Sequence, residues 1–564
     1  MSLRNRIFLP AILASLALLA ACGGGGSSNP PVNPPPSGGF SNSNLSGNYV
    51  FSVTGNTSTS DFLTIGGAFT ADGNGNVTGG VLDQNSTMSN GLILATITSG
   101  TYKVGSDGRP TGNSNFPTGL LILQTDHGTF QFDYVLTSST HGLLTLFESN
   151  GSASGSLDLQ ANVAQGDFAG QSYAFNLTGA AGTGSSVCGL ASGTGTPIPF
   201  ATVGAFTLDA SGNVVSGVED FNYDCSSSGS TNVPLTGGNV DLSTFPGTAT
   251  LTTGTGSSAN TYTFDVYPVD STHLKFIEID TQPSLVGDVF TQSSTIPSGN
   301  NVFTMAGLDL AVGGPFTTAG IFHFDSNGNV MSDSVEDIND AGSAGQIGAI
   351  FGTSSITAIS TPLTGGRAEI TFTSGFVNGN NGAACSSNCI FAAYPSTGGL
   401  QMLEIDDGGL TNGIAYPQSA TALASGEGFG MNLSGVTSNS AEDDIAEFTN
   451  NNGGWSGIID FNDQGTTSFR NSFSSMYAAD SSVAGRGAVT PSGNNGYYLT
   501  TYVIDRSTVA AVSVDSSYVA LGAVVQQNAG AKSNVVANHL TVLRNVASAR
   551  MKAKSKKGAL PRAN

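Results

Sequence analysis

Four short stretches of the chain pair an acid with an amide two residues on. Residues 80–85 read GVLDQN, 217–222 GVEDFN, 334–339 SVEDIN and 457–462 GIIDFN. On a β-strand, side chains i and i+2 share a face. Asp83 with Asn85, Asp220 with Asn222, Asp337 with Asn339 and Asp460 with Asn462 would each present a carboxylate beside an amide. Such a pair could ligate a cation or hold sugar hydroxyls, giving a polar rim site used four times. The alternative is architecture. Phe221, Ile338 and Phe461 occupy the residue between, with Gln84 in the first copy. If that residue packs inward, Asp and Asn point outward or close the strand in an Asx-turn.

A second set of acids lies later in each copy. HGLLTLFES (141–149), HLKFIEID (273–280) and GLQMLEID (399–406) align Glu148, Glu278 and Glu404, with Ser513 in the fourth copy. Leu274, Phe276 and Glu278 share one face, as do Leu400, Met402 and Glu404, so the glutamates head into an apolar core. A carboxylate entering a core needs a partner, or its pKa rises and it becomes neutral. Arg109 (GRP), Arg367 (GRA) and Arg486 (GRG) sit at comparable places, while the second copy has Asn239 after Gly-Gly. An inward Arg–Glu bridge fits copies one and three. The same residues could instead line a ligand pocket.

Other chemistry finds less support. Asp72-Gly-Asn-Gly-Asn76 begins like a calcium loop, but Val77 and Asp83 stand where that loop needs Gly and Glu. Asn-Gly and Asp-Gly between strands are hairpin chemistry. No G-x-S-x-G, H-E-x-x-H or phosphate-binding glycine loop occurs. Paired acids for glycoside hydrolysis stay open, because that reaction depends on a separation in space. No catalytic residue, metal or cofactor is expected.

These residues are carried by a unit repeated four times. Unit starts align as LSGNYVFSVTG (45–55), FAGQSYAFNLTG (168–179), SGNNVFTMAG (298–307) and SGEGFGMNLSG (425–435), and units close at Gln160, Gln292, Gln418 and Gln526. The spacing is too long for solenoid or propeller repeats, so domains are expected at 45–160, 168–293, 298–419 and 425–528. Short alternating runs punctuated by Gly, Asn and Asp predict about eight strands in the first unit: 48–54, 62–71, 76–84, 92–104, 119–124, 129–137, 142–148 and 154–160. Consecutive strands joined by tight turns make an antiparallel meander, which eight strands can close into a barrel. The fold class is therefore all-β. The opening G-x-x-Y/F strand and the strand count resemble lipocalin-like (calycin) barrels, although G-x-W and that family's late arginine are missing. β-Sandwiches are the alternative.

The ends say where the protein goes. Residues 1–22 carry Arg4 and Arg6, an apolar run too short to span a bilayer, and then Leu19-Ala20-Ala21-Cys22. That ending resembles the lipobox of bacterial lipoproteins, which implies a lipid on Cys22. Gly23 in place of Asp implies an outer-membrane destination. Residues 23–44 form a Gly/Pro/Ser linker. The four remaining cysteines are an even set for an oxidising compartment, and proximity suggests Cys188–Cys225 and Cys385–Cys389. From 23 to 531 the chain has seven Lys+Arg against all 39 Asp+Glu, a net of −32, whereas 532–564 is a basic tail of +8. The acidic body repels nucleic acid. The expected protein is a lipid-anchored envelope protein with a non-catalytic structural, adhesion or interaction role. Its partner is the membrane plus an unidentified envelope or extracellular molecule. A small-ligand binder is the alternative, and a carbohydrate-active enzyme the third reading.

Overall fold

The computed structural model describes residues 39–528, except 89–90, 114–115, 182–197, 224–229, 257–258, 281–282, 310–313, 348–365, 373–388, 407–408, 438–439 and 494. Cys22, Cys188, Cys225, Cys385 and the basic tail lie outside the described residues, while Cys389 is buried and disulfide-bonded.

The first unit is a closed meander barrel. Its strands are Ser46–Thr57, Phe62–Asp72, Asn76–Ser86, Ile93–Thr101, Leu121–Thr125, Gly128–Leu136, His141–Leu146 and Gly151–Leu159, the first pairing with the last. A two-stranded ribbon, Gly112–Asn113 with Phe116–Pro117, is inserted between the fourth and fifth. The second barrel runs from Ser172–Ala181 to Ser284–Thr291 and the fourth from Glu427–Thr437 to Tyr518–Gln526, each closed by eight strands in chain order. The third unit is an eight-stranded sheet of the same order, Gly299–Asp309 lying beside Gly409–Pro417. Its end strands, Ser343–Ile347 and Ala368–Phe372, flank 348–365. The fold is the all-β tandem of eight-stranded meanders that the strand pattern predicts, and not a set of sandwiches.

Period-two alternation fills each interior with the unit's own side chains. Tyr49, Phe51 and Val53 face the first core, Tyr173, Phe175 and Leu177 the second, Phe303 and Met305 the third, and Phe429, Met431 and Leu433 the fourth. Phe303 stacks on Phe322 with centroids 4.0 Å apart, and Phe51 meets Phe132 edge-on at 5.5 Å. The rings need space on the second strand. A Cβ on Gly204 would stand 2.4 Å from the Phe175 ring and 2.5 Å from the Val218 carbonyl, and one on Gly320 would meet Phe303 at 2.5 Å.

The Asp-Gly-Asn stretches are turns. Asp72 accepts the amides of Asn74 and Asn76 at 2.7 and 3.0 Å, and Asp209 and Asp325 do the same in the next two units. The Asn76 side-chain amide, donating at 2.8 Å, and then these backbone bonds hold the Asp72 carboxyl down at about 2. Gly204→Val should therefore force the core apart, lowering stability by about 1–3 kcal/mol in thermal unfolding, while Asp72→Ala at the exposed turn costs much less.

Candidate functional site

The repeated Asp and Asn do face outward, but onto the next barrel instead of water. Within one compact unit, strands one to three of each barrel pack on strands six to eight of the next, and the fourth packs in the same way on the first. The four units, three closed barrels and the third unit's eight-stranded sheet, close a ring.

Each Asn reads the backbone of its neighbour. The Asn85 amide donates to the carbonyls of Glu278 (2.7 Å) and Asp280 (3.1 Å), and Asn222 to those of Glu404 (2.9 Å) and Gly409 (3.0 Å). Asn339 donates to Ser513 (3.0 Å), Asp515 (2.9 Å) and Tyr518 (3.1 Å), and Asn462 to Leu146 (2.6 Å) and Gly151 (2.8 Å) of the first barrel.

Each Asp meets side chains. Asp220 receives Arg367 through Nε (2.7 Å) and Nη2 (2.9 Å), with the Tyr394 hydroxyl at 2.5 Å. Asp337 receives Arg486 through Nε and Nη2, both at 2.8 Å, and the Tyr502 hydroxyl. Asp460 receives Arg109, which also lies 3.4 Å from Asp133 and donates to the Ile458 carbonyl at 2.8 Å. Asp83 receives the Tyr267 hydroxyl. All four aspartates are buried, at 3% exposure or less. Bidentate guanidinium–carboxylate geometry fixes orientation as well as charge.

This corrects the expected Arg–Glu bridge. The three arginines pair with an aspartate of the preceding unit (for Arg109, the fourth), because the seam desolvates both partners. Strand register also corrects Asn239 as the second unit's counterpart of arginine. Arg486 lies opposite Tyr502, and Ala368 opposite Ala393 places Arg367 opposite Tyr394. Gly247 opposite Val266 puts Pro246 there in the second barrel, while Asn239 pairs with Thr250. Arg109 comes from the insertion between strands four and five, so its side chain reaches the seam from another part of the unit.

Register also separates the three glutamates. Phe132 pairs with Leu146 as Phe264 pairs with Glu278 and Phe391 with Glu404, so Leu146 is the first unit's counterpart. Glu148 belongs with Asp280 and Asp406. Each accepts a backbone amide of the sixth strand: Gln131 at 2.5 Å, Thr263 at 2.7 Å and Ile390 at 2.7 Å. Partial burial pushes Glu148 up to about 7. Glu278 and Glu404 are fully buried. Glu278 lies inside its barrel with neither carboxylate oxygen hydrogen-bonded; burial, then Asp280, drives its pKa well up. Glu219 is a second interior acid, accepting the Thr202 hydroxyl at 2.7 Å, and Glu336 repeats the contact with Thr318 at 2.7 Å. Its alternation with Phe221 and Tyr223 was the signal for that position.

Among the described residues no group of three or more His, Cys, Asp or Glu is placed to hold a metal ion. The chain matches no protein-family model and no curated protein. Among solved structures it is similar to a single-residue mutant of the vaccine antigen Transferrin Binding Protein B (TbpB) from Haemophilus parasuis Hp5, at 10% identity, covering 69% of this chain and 83% of that one, with a TM-score of 0.17. Intact Ap-TbpB (N and C lobes) follows at 11% identity, covering 70% and 86%, with a TM-score of 0.16. Likeness at this level carries no functional argument.

Removing one partner of a buried ion pair strands the other. Asp337→Ala should cost about 3–5 kcal/mol in chemical denaturation. Replacing Asp337 and Arg486 together by apolar residues of similar volume should recover most of that.

Proposed function

We propose that this chain is an exported, lipid-anchored envelope protein whose ring of barrels is a non-catalytic platform for an envelope or extracellular partner. One observation carries the reading. The Asp-x-Asn repeated through the units is spent on joining barrel to barrel, and the barrel interiors are packed with the units' own side chains. What this leaves available is the loops and the outward faces.

The two ends of the ring support the anchoring part. The Phe40 amide donates to the Ser106 carbonyl at 3.1 Å, and the Gln527 side chain donates to Asp107 and Leu136 at 2.8 and 3.0 Å. Both converge on Gly108, where an added Cβ would stand 2.8 Å from Gln527 and 3.1 Å from Phe40. Phe40 and Gln527, the described residues nearest the linker and the basic tail in sequence, therefore lie at one place on the ring, and a lipid on Cys22 would bring the tail's positive charge toward the same membrane. Basic residues beside an anionic surface add to acyl anchoring.

A small-ligand binder is the second reading, favoured by the interior acids Glu219 and Glu278 beside Tyr223 and Tyr262. Two measurements test these readings. Cys22→Ala should release the protein into soluble fractions, and unchanged membrane partition with no acyl mass on the native protein would refute anchoring. Native mass spectrometry of the lipid-free body should show the bare chain mass, and a stoichiometric small molecule would transfer the case to the binder.

A further inference from the structure

Three seams bring a guanidinium to the repeated aspartate. The seam between the first and second barrels brings a second carboxylate. Asp83 of the first barrel accepts the Tyr267 hydroxyl, and its carboxyl shares a hydrogen bond with Asp265, two residues before Tyr267. Asp83 and Asp265 are 3% and 7% exposed. Pro246 stands in the register place of Arg367 and Arg486, and Phe245 beside it sets its ring edge-on to Tyr267, centroids 6.0 Å apart.

The ring contains its own control. Strand register makes Asp133 of the first barrel the counterpart of Asp265, since Phe132 and Phe264 hold matching places. In the seam between barrels four and one, Asp460 and Asp133 stand together as Asp83 and Asp265 do, with Arg109 bonded to both. The same two carboxyls occur in both seams, and only one seam has the arginine.

Nearby charges do not replace it. The Lys275 ammonium, from the strand after Tyr267, is bonded to Asp158 (3.2 Å) and Asp288 (3.4 Å). His141 and His273 are each bonded to one of those two aspartates at 2.7 Å. Among the described residues, the titratable groups facing Asp83 are Tyr267 and Asp265.

Two buried carboxyls sharing a hydrogen bond cannot both be ionised without a counter-charge, so the pair holds one proton between them. We propose that this shared proton is a latch. It closes the seam between barrels one and two in place of an arginine, and the seam loosens when the proton leaves. Burial, with Asp265 adding to it, raises Asp83 to about 8, and burial also raises Asp265. A carboxyl whose pKa is higher folded than unfolded contributes stability that is complete below its ordinary value near 4. That contribution is lost as pH climbs through about 8. Arginine stays charged throughout this range, so the other three seams provide a baseline.

The test places a thiol reporter in the full chain with its other cysteines intact. Ile277→Cys lies in the latch seam, and Leu403→Cys holds the matching place in the seam between barrels two and three. The ratio of their labelling rates cancels the pH dependence of thiol chemistry. It should rise at least tenfold from pH 6.5 to pH 9. Adding Asp83→Asn or, separately, Asp265→Asn should hold the ratio flat, because an amide keeps the hydrogen bond and cannot ionise. A flat ratio in the Ile277→Cys protein, or an unchanged rise in both amide variants, would overturn the latch.

Discussion

The structure depends on taking an aspartate out of water at the face where one barrel meets the next. The surrounding faces are apolar: Ala201, Val203 and Ala205 of the second barrel pack in one continuous cluster with Tyr394, Leu403 and Ile405 of the third. An ionised carboxylate in such a surface costs several kcal/mol unless it is paired and hydrogen-bonded. A barrel that carries Asp220 on its outer face is therefore costly alone, and becomes acceptable only where Arg367 and Tyr394 meet it. Apolar contact supplies the attraction, and the buried aspartate penalises every docking in which no partner reaches it. A face rich in Ala and Val has little else to fix its position.

The Asn two residues on adds a second constraint of a different kind. Its amide donates to carbonyls at the end of the neighbour's seventh strand and in the turn or at the start of the eighth strand after it, and so depends on backbone position and not on side-chain identity. Asn85, Asn222, Asn339 and Asn462 consequently keep one role in four seams, while the partners of the aspartates vary from seam to seam. The same head-to-tail contact is used at every seam. Contacts of this kind form either an open filament or a closed ring, according to whether the rotation closes. Here it closes after four, within one chain.

How far this could be read in advance differs by level. The strands of the first barrel fall within a few residues of the alternation pattern, because each interior is filled locally and period two records it. The repeated Asp-x-Asn was visible, and so was its outward direction. Its burial was not, since a residue facing away from its own core is indistinguishable from a solvated one until a second domain covers it. Asp220 and Arg367, 147 residues apart, belong to one ion pair that no local pattern connects. The grouping of Glu148 with Glu278 failed for a simpler reason. Both follow an apolar run, and only the pairing of Phe132 with Leu146 shows that Glu148 lies two residues further along. Asn239 failed likewise, its Gly-Gly context matching that of Arg367 while the strand register does not.

The four seams differ in covalent support, and their polar chemistry follows that difference. Barrels one and two, two and three, and three and four are joined by the short segments 160–171, 292–298 and 418–426. A short tether keeps the joined faces at high effective concentration, so such a seam holds with weaker contacts. No segment joins barrel four to barrel one. There the buried Arg109–Asp460 pair is reinforced by Arg470 on Asp107 at 3.1 Å and on the Pro110 carbonyl at 2.9 Å. Ser152 donates to Asp443, Gln464 reaches the Ser58 carbonyl at 3.0 Å, and Gln527 crosses to Asp107 and Leu136. Gln160 and Gln418 make the counterpart of that last contact, to Pro268 and Val503, in two tethered seams. In the fourth unit the residue that does so is Gln527, one place beyond the aligned Gln526. Among the described residues the seam between barrels one and two has no arginine, and the segment 160–171 joins its two barrels. There the linker holds the faces together whichever protonation state Asp83 adopts, so the seam can loosen without the ring coming apart.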